Sequence, residues 1–440
     1  MNRRSSLEQR WFVCAVLILF STAPVSLGAL TTNPPQSSSQ SSNNAQEIRP
    51  DARGLRLENL FVARETQGTL FDNVVATLRS KYYDKTFRNE VLPQLVSQYA
   101  ERAKQAKTLE QEREVVEELL SHIPSSHLGL LSKRSHHDVM FDLLGREYPT
   151  FGFQVMKVSG NFYAFAVFEG GPGEKAGVRP WDRILTIDGV PVNQSPRLDW
   201  RSDDAYIGDD RDPPVHYLMA DKADIIKVKI ERSRGKQLSV SVPAEDYSAL
   251  DAAKASARVY SSGNKCIGYL HLWYVHIDGA HELLKKELDG QFADCAAFVF
   301  DLRGRGGSAA VIAKILDVLK QDNSARHRPV IALIDRQSRS AKDVLAYELK
   351  TRGLARLVGE PTAGAVIPAS FADVGHDSVL MFPSFKLPRY TDLLESKPVQ
   401  PDVLVERAGP MSGGDDPILK AGLAEATKLI TSGARPNAVQ

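Results

Sequence analysis

From residue 264 onward short apolar runs alternate with amphipathic ones, and this alternation limits the fold more than any other feature of the chain. The order is "IGYLHLWYV", "AHELLKKELD", "AAFVFDLRG", "AAVIAKILDVLKQ", "RPVIALID", "AKDVLAYELKTRG" and "ARLVGE". The short apolar runs read as strands, and the segments between them carry apolar residues at helical spacing. Such alternation gives an α/β layer with a largely parallel sheet. After "PDVLVE" a last helix is expected, capped by Asp416, with Pro417 in its first turn and Gly433 beyond its end.

A chain of 440 residues exceeds what one core supports, since single cores seldom pass roughly 250 residues. Upstream, "LFDNVVATLRSKYYD", "LPQLVSQYAERAKQA" and "TLEQEREVVEELLSHI" have helical periodicity, and Thr108 with Gln111 forms a capping box. Then come short β-type runs, "GFQVMKV", "FYAFAVF", "RILTIDG", "IIKVKIER" and "LSVSVP", broken by Gly and Pro. The expected organisation is multi-domain α/β. It has a helical domain at 53–146, a β-rich domain at 147–245, an α/β core at 246–410, and a C-terminal helix and tail at 411–440.

Arg3, Arg4 and Arg10 precede the apolar run "WFVCAVLILF", and "APVSLGAL" supplies small residues for cleavage near Gly28 or Ala29. This is the layout of a secretory leader at 1–29. The uninterrupted apolar run is short of the ~20 residues that a spanning helix needs. An exported protein, periplasmic or extracellular, with no stable membrane span after cleavage is therefore expected. Residues 30–52, rich in Ser, Gln, Asn and Pro, read as a disordered linker. Cys14 leaves with the leader, so Cys266 and Cys295 remain. Each precedes a strand-like run; a disulfide and two buried thiols are both open.

The net charge of +1 gives no reason to expect nucleic acid or an acidic membrane as partner. "EQEREVVEE" reads as a solvated helix face. His122, His136 and His137 lack Cys or acidic companions at ligand spacing, so no metal and no cofactor is expected.

"FEGGPGEKAGVRPWDRILTIDGVPV" resembles the PDZ domains of exported proteases, departing at Pro180-Trp181-Asp182 where those domains usually have Gly-Asp. Phe151, Gly152 and Phe153 are similar to their apolar-Gly-apolar loop, which binds a peptide carboxylate. Successive N–H groups in a tight turn form an anion nest, and the adjacent strand edge would pair with the peptide main chain. A plain turn at Gly152 is the alternative.

"IDRQSRSAKDVLAYELK" crowds Ser338 and Ser340 into a turn between strand and helix. Together with "FVFDLRGRGGS" and "GEPTAGA", it resembles the core of the tail-specific (C-terminal processing) and tricorn-core serine proteases. The resemblance implies a ClpP/crotonase-like core in which Ser340, followed by Ala341, is the nucleophile. One branch places a lysine 25 residues beyond the serine; that position here is Ala365. The tricorn-core branch uses a histidine in "SH" after the helical region, matched by Ser126 and His127. It also has a glutamate upstream of Pro-Asp, matched by Glu395 ahead of Pro401 and Asp402.

The resemblance assigns attack to Ser340, general-base work to His127 and orientation of the imidazole to Glu395, by way of Ser126. The N–H groups of Ala341 and of Gly306 or Gly307 would hold the oxyanion. Singly, each residue also reads blandly: Ser340 as a helix cap, His127 at a helix end, Glu395 as a surface charge. The chain departs from the family at Lys342-Asp343 and at Arg305. Arg303, Arg305, Arg336 and Arg339 either bind an acidic or C-terminal substrate group or pair with Asp301 and Asp335. The expected activity is that of a serine endopeptidase acting, without cofactor, on unfolded or C-terminally tagged polypeptides captured by the PDZ domain. The alternatives are an inactive PDZ peptide-binding scaffold and a Ser–Lys protease using Lys342 or Lys386. Homo-oligomer formation stays open.

Overall fold

The computed structural model describes residues 61–62, 68–199 and 215–432; the expected leader, Cys14, the linker and Gly433 lie outside them. A six-stranded sheet runs in the order Arg258–Ser262, Lys265–His271, Ala297–Asp301, Val330–Ile334, Arg356–Gly359, Val403–Leu404. The first pair is antiparallel and every later pair parallel. The central strands are apolar almost throughout because both faces are covered. Helices Ala280–Asp289, Ile312–Arg326 and Ala341–Thr351 pack on Phe298, Phe300, Ala332 and Ile334. Helix Pro417–Ser432 packs Ile418, Ala426 and Leu429 on the alternate residues Val299, Ile331 and Leu333. It approaches closely at Gly422, where a Cβ would lie 2.5 Å from Leu333 Cδ2. Ile267 pairs with Ala297, so Cys266 and Cys295 meet at the start of adjacent parallel strands. They are joined as a disulfide with Cα atoms 4.7 Å apart.

Helices Leu70–Lys81, Leu92–Gln105 and Leu109–Ser121 follow the upstream periodicity. Thr108 Oγ1 accepts from Gln111 N–H at 3.2 Å, while Gln111 Oε1 reaches one residue further out, to Lys107 N–H at 2.8 Å. The helices do not close a core of their own. Their apolar faces pack on Ala372, Val374, Leu380 and Phe382, which belong to a hairpin from far downstream. That hairpin, Ala369–Gly375 and Ser378–Pro383, lies in a four-stranded sheet ordered Phe61–Val62, Ala369–Gly375, Ser378–Pro383, Gly129–Ser132. Leu130 pairs with Leu380 and Ser132 with Ser378. The segment just before Gly129 is thereby carried to the α/β core.

The β-rich segment forms a sheet ordered Lys236–Pro243, Ile225–Ser233, Arg183–Ile187, Asn161–Val167, Phe153–Val158, Val215–Leu218, Leu198–Asp199. Phe151 and Phe153 point into its core. Gly152 takes a φ of +71°, and a Cβ there would lie 2.7 Å from Pro172 Cδ. Its N–H donates to Thr150 Oγ1 at 3.1 Å. One expectation is corrected here. Strand Phe153–Val158 does not offer a free edge, because Val155 and Met156 pair with His216 and Val215 of the chain's own strand Val215–Leu218. Among the described residues no helix is long and apolar enough to cross a membrane.

Candidate active site

Strand Val330–Ile334 ends in a turn organised by Asp335. Its Oδ1 accepts from the N–H groups of Gly304 (3.1 Å), Gln337 (3.1 Å) and Ser338 (2.9 Å). Ser338, fully buried, donates its hydroxyl to Leu302 O at 2.8 Å and accepts from Asp335 N–H at 3.1 Å. Its role is structural: it ties two strand ends together. Ser340 differs. It sits immediately before helix Ala341–Thr351 at φ 57°, ψ −118°, and its side chain makes no capping hydrogen bond. A non-glycine residue in such a backbone region costs about 1–3 kcal/mol and persists only where its surroundings hold it.

Ser340 is held from two sides. Its N–H donates to Ala365 O at 2.8 Å. On the other side is Gly306, where a Cβ would lie 2.8 Å from both Arg339 O and Ser340 Cβ. Glycine is what lets the two chains approach. Val275 fixes the Gly306 turn, donating to Gly306 O (2.9 Å) and accepting from Ser308 N–H (2.8 Å), so this ladder passes over the N–H of Gly307. The N–H of Ala341 opens the helix beside Ser340.

Ala365, where the Ser–Lys branch would carry its lysine, thus stands directly against Ser340. Its N–H donates to Asp343 Oδ2 at 3.0 Å, and Asp343 Oδ1 accepts from Gly364 N–H (2.9 Å) and the Thr362 hydroxyl (2.5 Å). Burial pushes the Asp343 carboxyl up to about 6, against the opposing pull of these bonds. One and two residues further on, the N–H groups of Val366 and Ile367 donate to Glu395 Oε2 at 2.8 and 3.1 Å. Glu395 Oε1 accepts from the Ser126 N–H at 3.1 Å, and Ser126 Oγ lies 3.0 Å from His127 Nδ1. His127 itself has a φ of +56°. Ser340, Glu395, Ser126 and His127, from three distant segments, are therefore linked through residues 365–367 by hydrogen bonds alternating with main-chain covalent steps, a route that begins at the Ser340 N–H and not at its hydroxyl.

The remaining charges fall elsewhere. Lys342 is fully buried, its amine donating to Trp273 O (2.9 Å) and Arg303 O (2.7 Å). Burial, with Arg303 adding to it, pushes that amine down to about 7, while Asp335 and Asp301 pull the other way. Lys386 is more than half exposed and lies 3.5 Å from Asp392. Arg303 is engaged with Asp301 (2.6 Å) and Asp416 (2.8 Å), and Arg336 with Glu360 (3.4 Å). Arg305 and Arg339 are buried, Arg305 lying over the Tyr217 ring. His122 meets Tyr99 and Glu118 O, His136 packs edge-on against Phe371, and His137 lies beside Asp138. No cluster of three metal-ligating side chains occurs among the described residues. Sequence reasoning noted Asp343 only as a departure from pattern. Nothing in "GEPTAGAV" signals that its amides divide between Asp343 and Glu395.

The profile of peptidase family S41 matches residues 313–405, a stretch that holds Ser340, Ala365 and Glu395. The carboxy-terminal processing protease CtpB of Bacillus subtilis is 23% identical over 368 residues, covering 76% of this chain and 70% of that protein. The carboxyl-terminal-processing protease of a Synechocystis species is 23% identical over 363 residues, covering 75% and 79%. Among solved structures, the photosystem II D1 C-terminal processing protease shares the fold with a TM-score of 0.50 at 17% identity, over 83% of this chain and 97% of that one. Residues 313–405 thus match peptidase family S41, and over about three quarters of its length the chain is similar to carboxy-terminal processing proteases.

Proposed function

We propose that the protein is an exported endopeptidase that cleaves unfolded or C-terminally exposed polypeptides with a Ser340–His127–Glu395 site. The observation that supports this reading is that one segment, residues 365–367, is bonded at Ala365 O to the Ser340 N–H and at Val366 and Ile367 N–H to Glu395, whose other oxygen holds the Ser126 N–H beside His127. With Nδ1 donating to Ser126 Oγ, Nε2 keeps the lone pair and takes the Ser340 proton as Oγ attacks the scissile carbonyl. The N–H groups of Gly306 or Gly307 and of Ala341 receive the oxyanion. The imidazolium returns its proton to the leaving amine, and water, deprotonated in turn by His127, releases the acyl group from Ser340. Glu395 contributes negative charge near the ring and locks the three segments in register.

In the same reading the β-rich segment is a PDZ module that captures the substrate's C-terminal carboxylate at the 151–153 turn. With Val215–Leu218 seated on the neighbouring strand, strand addition along Val155 and Met156 is blocked, and capture at the turn requires the Gly152 N–H to leave Thr150 Oγ1. The leader pattern and the Cys266–Cys295 disulfide both support an oxidising compartment.

A lysine base is the second reading, favoured by the lowered Lys342 amine. Cleavage of an unfolded, C-terminally labelled polypeptide by Ser340→Ala, His127→Ala and Glu395→Gln separates the readings. Ser340→Ala abolishes turnover, and His127→Ala lowers kcat by roughly 10²- to 10⁴-fold. Full kcat in His127→Ala would refute the imidazole. No turnover in the unaltered protein, with peptide binding intact, identifies a scaffold.

A further inference from the structure

Lys342 occupies the first turn of the helix that carries Ser340, and its ammonium is spent on two main-chain carbonyls, Trp273 O at 2.9 Å and Arg303 O at 2.7 Å. These carbonyls stand at the head of the two segments that build the glycine turn. From Trp273 the chain runs to Val275, whose N–H holds Gly306 O and whose carbonyl holds Ser308 N–H. From Arg303 it runs to Gly306 itself, which touches Ser340 Cβ. One side chain thus links the nucleophile's helix to both halves of the turn facing it. Two further ties each reach one half: Asp335 holds Gly304 N–H, and Ser338 holds Leu302 O. A buried ammonium bound to carbonyls costs more desolvation than an apolar side chain of the same size would, so its presence calls for a positional role.

We infer that Lys342 is a positioning residue of the reaction, setting the distance between Ser340 and the oxyanion-binding N–H groups of Gly306 and Gly307. The inference rests on the assignment of Ser340 as nucleophile. Two of the three ammonium donors of Lys342 are engaged by Trp273 and Arg303, so in this inference it acts through the turn and not on the Ser340 proton. Charge-assisted bonds are roughly twice as strong as neutral ones, so the tie weakens when the ammonium is lost. The ionisable groups facing the amine are Asp301 and Asp335, which favour its charge, and Arg303, which opposes it. His271 and His276 lie within its field. Burial brings the amine down to about 7, so the tie weakens as pH rises through neutrality, whereas an imidazole accepts a proton only in its neutral form, which the same rise favours. The rate profile should then be a bell whose alkaline limb belongs to Lys342.

The test is the rate at which a fluorophosphonate probe labels Ser340, with kcat and KM for a labelled unfolded polypeptide, between pH 5.5 and 9.5. Lys342→Met is expected to lower kcat and labelling by about 10- to 100-fold, a fraction of what loss of a whole oxyanion donor costs. KM should stay within about twofold, and the alkaline limb near neutrality should vanish. Lys342→Arg, which stays charged throughout, should recover much of the rate and move the limb out of range. Wild-type rates in Lys342→Met, or a retained limb, overturn the inference. Should Lys342→Met fail to fold, an unaltered protein with no alkaline limb overturns it as well. Abolished labelling in Lys342→Met with normal labelling in His127→Ala would make the lysine the base and end the positioning role. Labelling that survives Ser340→Ala refutes the nucleophile assignment and leaves the lysine contacts untouched.

Discussion

Gly306→Ala adds one methyl where the glycine turn meets Ser340, and its effect can be worked out from the distances. The new Cβ would lie 2.8 Å from Arg339 O, 2.8 Å from Ser340 Cβ and 3.5 Å from Arg339 C. Carbon atoms pack at about 3.5–4.0 Å, so the glycine turn and Ser340 must separate by roughly 0.7–1.2 Å. The backbone at Gly306 lies outside the left-handed region, so no conformational penalty is mixed into the result. Overpacking of this kind costs about 1–3 kcal/mol of stability. A 1 Å misplacement costs on the order of 10²-fold in rate, and loss of an oxyanion donor about 10²- to 10³-fold. The expected variant is folded, with a slightly lowered Tm and kcat reduced by about 10²-fold or more at little changed KM. Steady-state cleavage of a labelled unfolded polypeptide, paired with thermal denaturation, reads both quantities. Gly409→Ala is the control, since its Cβ would meet nothing within 4 Å. A Gly306→Ala enzyme with kcat within threefold of the parent would show that the turn does not serve Ser340, and the oxyanion assignment would fall with it.

Two further outcomes are expected. Asp142 is fully buried with Oδ1 unpartnered, and burial, helped by nearby Asp138, pushes its carboxyl up to about 8. Its folded pKa exceeds the unfolded value, so the native state binds more protons and stability falls as pH rises from about 4 to 8. Asp142→Asn should flatten that slope and raise the denaturation midpoint at pH 8.5; an unchanged slope in chemical denaturation would contradict the assignment. The Cys266–Cys295 bond closes a loop with a sequence separation of 29, worth about 3–4 kcal/mol by chain entropy. Reductant or Cys266→Ser with Cys295→Ser should lower the denaturation midpoint accordingly, and an indifferent midpoint would refute this.

The parallel sheet was legible because its strands are apolar on both faces and its helices fall between them at regular intervals. Ser340, Ala365 and Glu395 could be located because each sits in a contiguous stretch with its own pattern. The four-stranded sheet was not legible. Gly129–Ser132 has only four residues, and its partner Ser378–Pro383 lies about 250 residues downstream, a pairing no local period records. Strand Val215–Leu218 was missed for the same reason. The burial of Lys342 was not legible either. Amphipathic reading puts a lysine next to a helix start in solvent, whereas the carbonyls of Trp273 and Arg303 supply acceptors that only the folded strand ends present. The two serines were indistinguishable by residue type; backbone conformation separates them, with Ser338 bonded inward and Ser340 held in a strained turn.

The downstream hairpin also has a consequence in time. His127 is synthesised early, but the strand that seats its segment ends at Pro383, and the carboxylate that grips Ser126 follows at Glu395. A ribosome must therefore finish most of the polypeptide before base and nucleophile can meet.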